Sequence, residues 1–214
     1  PYQFKNEQGD ITGLDIDLLR AVAQEAGCKL KFTHVPWKRA LQLIAEGKLH
    51  VASGASKTAE RRTYAHFSTP YRQETMRLFV QRKRLPEFYI SSLDDLAKSP
   101  FSIGVALGYT YGKEFDALRD QHQFDGRLSE VTTDVQNIRR LKASRVDTAL
   151  IEQFVGNQLI QNERLGEEIA VLPLTIPTGD IHFLFSKRTV REAHVAAFDH
   201  ALERILKNGT YQKI

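Results

Sequence analysis

One short stretch of this chain, Ser53-Gly54-Ala55-Ser56-Lys57-Thr58-Ala59-Glu60-Arg61-Arg62, places small residues, a capping threonine and two arginines in a single turn. These are the parts needed to seize a carboxylate. Thr58 is a good N-cap, so a helix opening at Ala59 would offer backbone N–H groups to an anion. One turn in, Arg61 adds a planar fork of donors that fits a carboxylate bidentately. Adjacent helix residues do not share a face, so Arg62 is read as solvated. Taken alone, the stretch also reads as an ordinary helix start with a solvated arginine pair.

Other chemistries find little support. No Ser-His-Asp arrangement, metal-ligand spacing or phosphate-binding loop is recognisable, and neither a cofactor nor a metal is expected. The net charge of +4 raises a nucleic-acid role, but the lysines and arginines are scattered and form no basic block. A mild positive balance suits small anionic ligands equally well. Cys28 is the single cysteine, which excludes an internal disulfide; lying between a helix and a strand, it is expected to be a buried thiol. No apolar run approaches the roughly 18 residues of a membrane span.

The elements that must position the arginine turn alternate along the chain. Leu19, Val22, Ala23 and Ala26 fall at helical spacing and Gly27 supplies a stop. Residues 29–34 alternate as a strand, Trp37 to Glu46 reads as a helix closed by Gly47, and His50-Val51-Ala52 as a short strand. A second series follows Met76 to Val80. It has a capping box at Ser92-Leu93-Asp94-Asp95 and a strand at Ser102 to Ala106 that runs into Leu107-Gly108-Tyr109-Thr110-Tyr111-Gly112. A helix through Val135, Ile138 and Leu141 and a strand Thr148 to Ile151 come next, then a helix around Val155 to Ile160. Strands near 169–172 and 181–186 are separated by Pro177-Thr178-Gly179-Asp180, and Thr189 caps a last helix carrying Phe198, Leu202 and Ile205. The expected fold is α/β, two lobes each with a mostly parallel sheet flanked by helices, and a ligand cleft between.

An ordered set of motifs carries a family resemblance. Pro1-Tyr2-Gln3-Phe4, Gly13-Leu14-Asp15-Ile16-Asp17-Leu18, Pro36-Trp37, Gly47-Lys48-Leu49-His50-Val51, the arginine turn, Phe67-Ser68-Thr69-Pro70-Tyr71, Ser144-Arg145-Val146-Asp147 and Asn208-Gly209-Thr210-Tyr211 stand in sequence. Together they resemble the bacterial solute-binding proteins of the polar amino-acid family, the extracytoplasmic receptors of ABC importers. The resemblance implies the two-lobed type II periplasmic-binding-protein fold. Its lobes are expected at 1–82 with 181–214 and at 83–180, with hinge strands near 80–84 and 176–182. It also implies a strand ahead of Pro1-Tyr2, so a short preceding segment is expected in the natural protein.

Residue by residue, the resemblance gives Arg61 the ligand's α-carboxylate, aided by the backbone N–H and hydroxyl of Ser56. The carbonyl of Gly54 accepts from the α-ammonium, and Trp37 forms a ligand wall or, alternatively, belongs to the core. Gly108, Tyr109 and Thr110 match a loop whose backbone meets the carboxylate. Glu152 stands where the family usually has an aspartate that pairs with the α-ammonium. Tyr109 and Tyr111 are rim residues or ligand contacts. Asp15 and Asp17 are expected to cap the following helix. Lys38, Arg39, His66 and Arg72 are surface charges or determinants for an acidic ligand side chain. The implied function is a monomeric periplasmic receptor that closes around an amino acid or similar small zwitterion and delivers it to a membrane permease. The alternatives are the sensing domain of a signalling receptor and a cyclohexadienyl-dehydratase-like enzyme with Glu152 as general acid.

Overall fold

Helices and strands alternate through two units in the computed structural model, which describes residues 1–6 and 8–214. One unit comprises Pro1–Arg72 with Asp180–Ile214, the other Gln73–Gly179. The first opens with a two-stranded antiparallel ribbon, β1 (Phe4–Lys5) against β2 (Ile11–Thr12). Gly13 then turns the chain at φ 117°, where a Cβ would lie 2.5 Å from the carbonyl oxygen of Tyr2, so only glycine fits. Helix α1 (Leu14–Glu25) buries Leu18, Leu19 and Val22. Neither aspartate of its first turn caps it: Asp15 pairs with Arg72 and Asp17 with Arg20.

Residues 29–34, expected as a strand, take no regular secondary structure and pair with no strand among the described residues. Leu30 and Phe32 still pack on the core of the unit. Cys28, expected to be buried, is exposed at the start of this unpaired stretch. Helix α2 (Trp37–Glu46) ends at left-handed Gly47. Strand β3 (Val51–Ser56), helix α3 (Ala59–Tyr64) and strand β4 (Ala65–Phe67) follow.

The second unit contains β5 (Arg72–Gln81), α4 (Leu93–Lys98), β6 (Ile103–Ala106), α5 (Lys113–Asp120), β7 (Leu128–Val131), α6 (Asp134–Lys142), β8 (Thr148–Glu152) and α7 (Gln153–Asn162). Strand β9 (Ile169–Ser186) runs unbroken from this unit back into the first, where α8 (Glu192–Lys207) closes the chain. Two strands were expected where β9 is one, and β1, β2, β4 and β7 were not anticipated. Helix α8 starts after Arg191 rather than Thr189, because the N–H groups of Thr189 and Val190 both turn back onto the Ser186 carbonyl.

Within the second unit the strand order is β9-β5-β8-β6-β7. Strand β6 is parallel to both β7 and β8, whereas β5 is antiparallel to β8. In the first unit β3 and β4 both pair antiparallel with β9. The α/β class therefore stands with mixed ladders, and the expected parallel character is found at β7-β6-β8. The chain first crosses between units at 72/73, where 82/83 was expected, and β5 is paired with β8 from Met76 to Val80. It returns at 179/180.

Each unit has its own apolar interior. The first joins Leu18, Leu19 and Val22 of α1 to Phe183 of β9 and Phe198, Leu202 and Ile205 of α8. The second places Leu78 and Val80 of β5 with Ile103, Val105, Tyr111, Phe115 and Phe124. On the other face of β5, Phe79 packs with Ile138, Leu141 and Ile151. There α7 comes so close that a Cβ on Gly156 would lie 2.1 Å from Cζ of Phe79.

Candidate functional site

The arginine turn forms as its sequence directs. Strand β3 carries a bulge: Ala52 pairs with Leu184 and Ala55 with His182, so three steps on β3 face two on β9. The extra residue is absorbed at Gly54, which sits at φ 83° and donates its N–H to the Tyr71 hydroxyl at 2.9 Å. Past the strand, the Thr58 side chain accepts the Arg61 N–H at 3.1 Å and caps α3. That amide is therefore engaged by its own cap.

Arg61 is only 4% exposed, whereas Arg62 is exposed, so the two arginines divide as the helix geometry requires. Nη1 of Arg61 donates to the Ser56 carbonyl at 2.8 Å, and its guanidinium carbon lies 5.5 Å from the centroid of the Trp37 ring. Both contacts hold the fork in one pose, the second by cation–π attraction. Trp37, Ser56 and Arg61 are thus brought together. Trp37 also packs against the cluster of Ile44, Ala55, Ala65 and Leu184, so it belongs in part to the core.

Behind Gly54 stands a buried ion pair that motif reading left without a role. Nε and Nη2 of Arg72 reach Oδ1 and Oδ2 of Asp15 at 2.7 and 3.0 Å, a bidentate pair with both side chains buried. Gln3 donates to the same carboxylate at 3.2 Å and to the Ser53 carbonyl at 3.1 Å. The Arg72 guanidinium lies 3.7 Å from the Tyr2 ring centroid. Burial, and then the Asp15 charge, hold the Tyr71 hydroxyl well above its ordinary pKa, so it remains protonated against Gly54. Arg72 is thus part of a buried ion pair and not a surface charge. His66 lies 3.7 Å from Glu192, and Lys38 and Arg39 are exposed.

In the second unit, β6 leads into a turn in which the Tyr109 N–H bonds the Ala106 carbonyl and Gly108 stands exposed at φ 79°. Tyr109 is partly buried against the core and Thr110 is partly exposed. Tyr111, read as a rim residue or a ligand contact, packs in the core: it is fully buried, and its hydroxyl accepts the Ala106 N–H at 2.5 Å. Glu152 ends β8 and caps α7, its Oε2 accepting from the N–H groups of Phe154 and Val155 at 2.8 and 2.9 Å. Glu152 as a residue is 5% exposed, so this helix cap is buried.

A further carboxyl group, missed in the sequence, lies in this unit. Asp134 opens α6 behind its Thr133 cap and is nearly buried. Desolvation first, then the charge of Glu74, raise its pKa to about 7; Glu152 adds to the rise and Asn137 opposes it. A Thr-Thr-Asp run ahead of a helix is the usual wording of a cap, and nothing local distinguishes it from one.

The whole chain, residues 1–214, matches the profile of the bacterial extracellular solute-binding proteins, family 3. It belongs to that family. A probable histidine-binding protein of Neisseria gonorrhoeae is 26% identical to it across 100% of this chain and 77% of the relative. Among solved structures, an ancestral arginine-binding protein bound to arginine superposes with a TM-score of 0.85 at 25% identity, covering 100% of this chain and 90% of the other. An amino-acid ABC transporter substrate-binding protein from Streptococcus pneumoniae, bound to L-arginine, gives a TM-score of 0.82 at 25% identity, over 100% and 87% of the two chains. The fold is that of the type II periplasmic binding proteins. No helix among the described residues is long and apolar enough to cross a membrane.

Proposed function

We propose that this family member is an extracytoplasmic receptor for an amino acid, delivering it to the permease of an ABC importer without chemical turnover. The observation that carries the reading is Arg61: a guanidinium removed from water, aimed by the Ser56 carbonyl and the Trp37 ring, at the end of a bulged strand. In this reading Arg61 takes the ligand's α-carboxylate, with Ser56 and the Gly108-Tyr109-Thr110 turn adding backbone donors. Glu152 takes the α-ammonium, and the Gly54 carbonyl shares it. A zwitterion leaving water needs both charges met, or binding fails on desolvation. The strands at the two chain crossings act as the hinge, and the ligand drives closure through contacts made only in the closed state.

A thermal-shift screen of the purified chain against the amino acids tests the reading. Ligand at about 100 times Kd adds roughly 2.7 kcal/mol to the bound state. A shift with a restricted set of amino acids supports the proposal; no shift with any of them overturns it. Arg61→Ala is expected to cost about 2–5 kcal/mol of affinity, because the ligand carboxylate is left desolvated and unpaired. A loss under about 1 kcal/mol would remove Arg61 from its role. Glu152→Gln is expected to weaken amine-bearing ligands and to spare analogues that lack the amine.

A further inference from the structure

Strands β6, β7 and β8 are mutually parallel, with Ile103 in register with both Leu128 and Thr148, so their carboxyl ends lie along one edge. Ligands of α/β proteins bind at that edge. The chain places Tyr109 beyond β6, Asp134 beyond β7 and Glu152 at the end of β8. Strand β5 runs the other way beside β8, with Met76 opposite Glu152. Two residues earlier, Glu74 therefore stands on the same face and at the same edge. The carboxylates of Glu74, Asp134 and Glu152 are thereby collected at one end of one unit.

Asp134 is only 9% exposed, and its Oδ1 has no hydrogen-bond partner among the described residues. Asn137, one turn along α6 and fully buried, lies alongside, yet neither polar atom of its amide makes a hydrogen bond of normal geometry with them. The charged groups that act on Asp134 are Glu74 and Glu152, both carboxylates. The Tyr109 hydroxyl faces Asp134 first and also Glu74. A carboxylate buried toward like charges is unfavourable, and either a proton or an arriving cation relieves it. A single metal ion does not fit, since no group of three acidic, histidine or cysteine side chains is gathered closely enough to hold one among the described residues. An extended organic cation fits the spread of charge better. Phe154, in the first turn of α7 and 58% exposed, offers it an apolar and cation–π surface.

We propose that this strand-end cluster is a subsite for a second positive group on the ligand, with Asp134 its principal partner, so that the receptor prefers basic amino acids. The proposal rests on the amino-acid reading above and deepens it. Glu152 holds the α-ammonium there, while Asp134, supported by Glu74, meets the guanidinium or ammonium of the ligand side chain.

Titration calorimetry of the full chain with L-arginine, L-lysine and L-glutamine tests it, using wild type, Asp134→Asn and Glu74→Gln. The wild type is expected to bind arginine or lysine at least about tenfold more tightly than glutamine, a difference of 1.4 kcal/mol. Asp134→Asn is expected to remove most of that preference while leaving glutamine within about threefold, and Glu74→Gln to reduce it in part. Binding of arginine near pH 7 is also expected to release protons from Asp134, which faces Glu74 on β5, Glu152 on β8 and Tyr109 after β6. Repeating the titration in buffers of different ionisation enthalpy reads that release, and Asp134→Asn abolishes it. Equal affinity for glutamine and arginine, or equal losses for both in Asp134→Asn, would overturn the subsite and leave the amino-acid reading intact. Failure of the wild type to bind any amino acid would overturn both.

Discussion

The two units each bury an aspartate at the start of a helix, and they treat it in opposite ways. In the first, Asp15 meets a Gln3 amide and a bidentate Arg72, itself stacked on the Tyr2 ring, so its charge is answered from within. In the second, Asp134 meets Glu74 and Glu152, and its carboxyl is lifted to about 7. A matched buried pair holds a backbone in place and changes little when a ligand arrives. An unmatched carboxyl among carboxylates weakens the unliganded state and rewards a cation. The first arrangement steadies the Gly54 bulge beside the arginine turn; the second is a source of selectivity.

The contrast can be broken from either side. Arg72→Met would leave Asp15 charged and unpaired in the interior, and is expected to cost about 3–5 kcal/mol of stability, read by urea unfolding. Retention of wild-type stability would show that the pair contributes nothing to the fold. Asp134→Asn is expected to act in the other direction. Its folded-state pKa lies above the ordinary 3.8, so the native state binds the extra proton and loses stability as pH rises from about 4 to about 7. That interval corresponds to roughly 4 kcal/mol at most. The variant should therefore be more stable than wild type at pH 8 and no different near pH 3.5; equal melting curves at pH 8 would contradict the raised pKa.

Smaller effects sharpen the comparison. Gly156→Ala drives a methyl group into the Phe79 ring and is expected to cost about 1–3 kcal/mol, with Phe79→Leu in the same chain recovering part of it. Thr58→Ala removes the cap from the Arg61 amide and is expected to cost about 1 kcal/mol, with a modest loss of ligand affinity as the turn loosens. An unchanged unfolding midpoint would show that the turn is held by Arg61 and Ser56 alone.

Local chemistry made some of this legible in advance. Pro36 and Gly47 bracket α2 at its observed ends, Ser92 and Asp95 form the capping box their spacing announces, and Thr58 with Arg61 builds the expected turn. What escaped depends on partners distant in the chain. Asp15 and Arg72 are 57 residues apart, and neither motif that contains them names the other. Tyr111 sits between glycines, where an aromatic reads as a loop residue, and only packing against Phe115 makes it core. Pro173, Pro177 and Gly179 interrupt a pattern that nonetheless continues as β9, since proline is tolerated where its missing N–H is not needed. Leu128-Ser129-Glu130-Val131 is too short and polar to announce β7, so the acidic edge formed by Asp134, Glu74 and Glu152 could not be assembled from spacing.

The interior of the first unit is built from both ends of the chain, with Leu18 and Val22 of α1 against Phe183, Phe198 and Leu202. That has a consequence for biosynthesis. The second unit, a contiguous Gln73–Gly179, has all its core residues available once they have been made, whereas the first lacks the larger part of its buried cluster until the end of β9 and α8 are made. Loop closure across such a separation is slow. The segment synthesised first is therefore expected to fold last. Residues 73–179 expressed alone should show cooperative unfolding, and residues 1–72 alone should not.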